Sequence, residues 1–238
     1  MTSINNDKKN YTNTCKSQIS IKVVIIRIFI LIGFFSHIFT FSSAQTKFGI
    51  NLGINSSTIR YADETKENLI APYRKLKPGL SAGLSVKTTL NPLLFINSEL
   101  NYSRKGLKYL QDGIRKGSNK TNYIQWTATG NIIGLKHKKH KLFTGIGLYT
   151  AFLINGKYDS VNLQTGETRS EPFDFKNNNY TYNRWDAGLT IRLGYFNKKS
   201  PVHFSGSYEH GMLQSSQEIV DSYSNRTIRL ELSYMLKK

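Results

Sequence analysis

Eight segments of the chain alternate apolar and polar side chains with a period of two: 47–60, 77–90, 93–103, 121–135, 141–154, 182–196, 201–213 and 226–236. The last is the plainest. Ile228, Leu230, Leu232, Tyr234 and Leu236 fall on one face, and Thr227, Arg229, Glu231 and Ser233 on the other. Successive side chains of a strand point to opposite sides of a sheet, so each segment predicts a strand with one apolar and one polar face. After residue 45 no segment shows helical periodicity.

The polar faces hold Gly, Ser, Thr and Asn together with Lys87, Glu99, Asp186, Arg192, His203, Glu209, Arg229 and Glu231. Unpaired charge is costly in a soluble core. It is ordinary inside a membrane barrel, which is apolar outside and polar within. Short links (91–92, 136–140, 197–200) alternate strictly with long ones, as tight periplasmic turns alternate with outer loops. The fold expected is all-β: an eight-stranded antiparallel up-and-down transmembrane β-barrel with both termini in the periplasm. A soluble lipocalin-like barrel shares the strand number but needs an apolar cavity. Eight strands leave a lumen only wide enough for its own side chains. Lys87, Glu99, Asp186, Arg192, Glu209, Arg229 and Glu231 are therefore expected to form a structural network of ion pairs that plugs it. Asp186 with Arg192, and Arg229 with Glu231, also fit a proton relay or selectivity element. Tyr102, Trp126, Tyr195, Tyr208 and Tyr234 are expected near outward strand ends, where interfacial aromatic girdles belong.

The first 44 residues read differently. Lys8, Lys9, Lys16, Lys22 and Arg27 precede an apolar run from Ile28 to Phe41, and Ser42-Ser43-Ala44 supplies small residues before Gln45. This predicts a signal peptide over 1–44 and an outer-membrane barrel domain over 45–238. A transmembrane anchor is the alternative, but the run is short of the ~20 residues a spanning helix needs. The one cysteine, Cys15, lies in this leader, so disulfide and thiol chemistry are excluded from the rest. The chain carries 33 Lys+Arg against 15 Asp+Glu. A strong basic excess points to anionic partners, and export makes nucleic acid the least suited of them. Arg104, Lys105, Lys108, Arg115, Lys116 and Lys120 form a basic loop with Asp112 as its one acid, expected to face lipopolysaccharide phosphates. The turns 136–141 and 198–199 are expected at the inner leaflet. The longest link, 155–180, carries Asp159, Glu167, Glu171 and Asp174 and is a candidate contact surface.

Three stretches carry a family resemblance: 47–57 (KFGINLGINSS), 143–153 (FTGIGLYTAFL) and 185–195 (WDAGLTIRLGY), the last followed by Tyr208-Glu-His-Gly211. Together they resemble the PorT-like outer-membrane β-barrel proteins of Bacteroidetes. The resemblance implies a structural or assembly role linked to type IX secretion, with the barrel-assembly machinery and secretion proteins as partners. The aromatic last residue common in such chains is missing here, and Tyr234 and Leu236 would serve in its place.

Catalytic signals are sparse. His203-Phe-Ser205 with Glu209 or Glu218 resembles the His-x-Ser pair of an outer-membrane lipid A deacylase. A serine facing the lumen cannot meet a lipid in the bilayer, and no Gly-x-Ser-x-Gly elbow is present. His137 and His140 flank two lysines and lack acidic or thiolate co-ligands, which argues against a metal. Gly49 and Gly53 sit within a strand and open no helix, so they do not form a phosphate cradle. The expectation is a non-enzymatic protein without cofactor or metal, with a lipid-modifying enzyme and a minor passive pore as the competing readings.

Overall fold

The computed structural model describes residues 45–111, 115–137, 139–173, 183–213 and 223–236. The expected signal peptide over 1–44, Asp112, Asp174 and Glu218 lie outside them. Ten strands form: β1 (Gln45–Tyr61), β2 (Arg74–Lys75), β3 (Lys77–Thr89), β4 (Leu94–Gln111), β5 (Arg115–His137), β6 (His140–Asn162), β7 (Thr168–Pro172), β8 (Trp185–Asn197), β9 (Val202–Gly211) and β10 (Tyr223–Met235). Eight of them make the wall, each antiparallel to its neighbours, in the order β1-β3-β4-β5-β6-β8-β9-β10. β10 returns to pair with β1 from Gly49 opposite Met235 to Tyr61 opposite Tyr223. The sheet therefore closes on itself and leaves no edge along the wall.

Alternation sets which face is which, and the result inverts a soluble core. Ile146 is 72 % exposed, and Phe48, Leu52, Ile54, Leu84, Leu193, Phe204 and Leu230 share its outward belt. Arg229 is 1 % exposed, and Glu99, Lys105, Gln125 and Glu209 are buried as completely. Short connections gather at the end that holds Gln45 and Met235, here the terminal end: those from β3 to β4, from β5 to β6 and from β8 to β9. The opposite, hairpin end is more elaborate than the alternation predicted.

Residues 104–111 and 115–120 of the expected loop are instead strand. β4 continues to Gln111, β5 begins at Arg115, and the two stay in register throughout, with Arg104 opposite Asn122 and Gln111 opposite Arg115. β6 likewise runs on to Asn162 and turns back as β7. At 23 residues each, β5 and β6 are about twice the length needed to cross a bilayer. β2, β4, β5, β6 and β7 thus extend the wall into a five-stranded sheet beyond the barrel. The reason is pairing: polar sequence still forms strand when a neighbour satisfies its backbone groups.

The link from β1 to β3 holds helix α1 (Glu64–Ile70). Asp63 caps it, accepting from the Lys66 N–H at 2.7 Å. Glu67 then ties the link down, accepting from Arg74 through both oxygens and from the Tyr61 N–H at 2.9 Å. At the bend where β4 leaves β3, Gly106 adopts φ +147°. Ser57 Oγ accepts from its N–H at 2.8 Å and donates to its carbonyl at 3.0 Å.

Candidate functional site

The inward faces of β4, β8, β9 and β10 meet on the barrel axis in two layers. In the first, Arg192 of β8 spans to β4 and holds Glu99 through both terminal nitrogens, at 2.5 and 2.7 Å. The same guanidinium lies 3.4 Å from Glu231 of β10. Asn97 donates to Glu99 at 2.6 Å and Ser233 to Glu231 at 3.3 Å. In the second layer Glu209 of β9 is the hub. Arg229 Nη2 lies 2.7 Å from it, Lys105 Nζ lies 3.0 Å from it, and Gln125 donates to it at 2.7 Å. Lys105 also reaches Asp186 at 3.7 Å, where Asn225 and Tyr149 donate at 2.9 and 3.2 Å. Such a forked Arg–carboxylate geometry gives the strongest and most directional ion pairs.

The partners differ from the sequence pairing. Asp186 and Arg192 lie six residues apart on β8, about 20 Å along a strand at ~3.3 Å per residue, so they sit in different layers. Arg229 pairs with Glu209, and Glu231 with Arg192. Lys87 is buried but stands outside both layers. Its Nζ sits 4.1 Å from the Phe95 ring centre and 3.7 Å from that of Phe196. Those rings, with Ile133 and Phe143, fill the lumen at the terminal end. Tyr123, Tyr149, Ala151 and Leu153 fill it toward the hairpin end, with Phe173 packed against them.

The basic set expected on one loop divides three ways. Lys105 points into the lumen, since it continues the inward series Asn97, Glu99, Asn101, Ser103. That series was legible in the sequence, and the polar character of the segment hid it. Gln125 was missed because its segment alternates weakly. Arg104, Lys108, Lys116 and Lys120 share the outer face of the protruding sheet through their register, joined there by Lys157 opposite Lys120. Arg115 lies on the other face by the same alternation. Asp159 bridges Lys120 at 2.7 Å and Lys157 at 3.1 Å. Lys120 first, then the Ser170 hydroxyl and Lys157, hold its carboxyl far below the usual carboxylate range. Lys77 is also buried at its base and donates to Ser118 of β5.

Among the described residues no hydrogen bond joins His203 to Ser205 or to Glu209. The His203 ring rests on Phe196 with centres 4.7 Å apart, and Glu209 is occupied by Lys105, Arg229 and Gln125. Trp126 stands in the middle of β5 rather than at its end and donates to Ser98 at 2.9 Å.

The family model of the outer membrane protein beta-barrel domain matches residues 41–217. The chain belongs to this family. It is an outer-membrane β-barrel protein, and its exposed apolar belt is the lipid-facing surface. Among solved structures, the attachment invasion locus protein Ail of Yersinia pestis is 17% identical, with 81% of this chain and 99% of that one covered at a TM-score of 0.41. Neisserial surface protein A is 11% identical over 83% and 100% of the two chains, at 0.43. OprG of Pseudomonas aeruginosa is 8% identical over 82% and 98%, at 0.47. No curated protein sequence matches the chain.

Proposed function

We propose that this outer-membrane barrel is a sealed, non-catalytic scaffold that presents its protruding sheet to other envelope components. The observation that carries the reading is the filled lumen. Two ion-paired layers cross the axis, and aromatic clusters stand beyond them toward each end. In the proposed orientation both termini are periplasmic and the sheet of β2, β4, β5, β6 and β7 stands outside the cell. Long outer structures on rigid barrels are the usual contact surfaces. Arg104, Lys108, Lys116, Lys120 and Lys157 continue the lipid-facing side of the wall, at the height where lipopolysaccharide carries phosphates. The likeness of the sequence to PorT-type proteins supports a partner in type IX secretion.

Planar-bilayer recording of the purified barrel tests the sealed lumen. The expected result is no stable conductance, and steady ohmic steps would overturn it. A Ser205→Ala variant is expected to leave the acyl pattern of lipid A unchanged in cells. Lipid A whose acyl chains respond to that substitution would restore the hydrolase reading.

A further inference from the structure

The terminal end holds a cavity of about 630 Å³ that opens past the aromatic cluster. Lys47, Lys87 and Lys141 line it together with Phe95, Phe196 and His203. Its floor is Lys87, 7 % exposed and seated on two phenyl rings. Among the described residues no carboxylate pairs with it, and the charges that act on it are Lys141 and Lys47, both of its own sign. The sequence explains why. The described stretches that build this end, 45–51, 87–95, 131–137, 139–147, 194–204 and 232–236, contain seven lysines and no Asp or Glu.

The three buried cations of the two inner layers each have a counter-ion: Arg192 has Glu99, and Arg229 and Lys105 have Glu209. A buried ammonium facing an acid-free cavity is an anion site lacking its anion. Two features narrow the ligand. The donors are lysines with no arginine fork, which suits the compact, high charge density of a phosphate better than a planar carboxylate. The phenyl floor suits an apolar group attached to it, and the volume is that of a small-molecule site.

From this geometry we infer that the mouth at the terminal end binds a phosphate-headed amphiphile, with Lys87 on its head group and Lys47 and Lys141 at the rim. The source is a phospholipid head group from the adjoining leaflet or a soluble alkyl phosphate.

Calorimetric titration tests this, using the full barrel in phosphatidylcholine nanodiscs with empty discs as reference. Hexyl phosphate is expected to bind at least about ten-fold more tightly than hexyl glucoside, one charge-assisted contact being worth about that factor. Lys87→Met should lower its affinity about ten-fold, while Lys157→Met at the opposite end should not change it. If Lys87→Met does not fold, the rim pair Lys47→Gln with Lys141→Gln should show the same direction of loss. Equal binding of the phosphate and the glucoside would overturn the inference, as would a folded Lys87→Met that binds undiminished. Dihexanoyl phosphatidylglycerol separates the sources: binding at the level of hexyl phosphate assigns a lipid head group, and exclusion assigns a soluble alkyl phosphate, the site standing in both cases.

Discussion

Arg192 satisfies Glu99 and approaches Glu231 at once, so its charge is shared between two strands that do not touch in the wall. Removing one partner of a buried pair is far costlier than the pair is worth, because the remaining charge has no water. Arg192→Met is expected to destabilise the barrel by about 3–5 kcal/mol. Urea unfolding, read by heat-modifiable gel migration, checks it. Glu67 gives a pH prediction outside the membrane. Its bond to Arg74 lowers its carboxyl below the ordinary value. A lowered folded value contributes stability above the unfolded value of about 4.3 and loses it as pH falls through the folded one. Exchange protection of the Tyr61 amide, which donates to Glu67, should therefore hold at pH 6 and fall away below about pH 4. At this scale the sequence was informative about direction and silent about partners. Period two places Glu99, Arg192 and Glu231 inside, but which acid meets which base depends on strand stagger around the barrel, and stagger leaves no mark on a single strand.

Strands β4, β5 and β6 show where alternation stops being a guide. Within the bilayer the apolar face announces the strand. Beyond it no lipid demands an apolar face, so residues 106–111 and 115–120 lose the pattern while keeping the pairing. Gly106 is the joint between the two regimes. A Cβ there would stand 2.0 Å from the Asn119 carbonyl oxygen, at a φ that side chains rarely adopt. Gly106→Val should cost about 1–3 kcal/mol. It should also raise proteolysis between residues 104 and 120 before the barrel itself opens, which limited digestion followed by mass spectrometry would detect. The helix α1 was invisible for a related reason: seven residues are too few to show a period, and Asp63 and Arg74 hold it from outside.

For the whole molecule, closure joins the first strand to the last. β10 pairs with β1 along thirteen positions and supplies Arg229 and Glu231 to the two inner layers. Without that strand, Glu209 has only Lys105 and Gln125, Arg192 answers only Glu99, and the seam between β1 and β9 is open. Without β10 the barrel would hold uncompensated charge and bare backbone against lipid. Completion is then self-reporting. A molecule cut short before Tyr223 is therefore expected to lack both the seam and the counter-charges, and its failure to sediment with outer membranes would show that the fold refuses its own fragments.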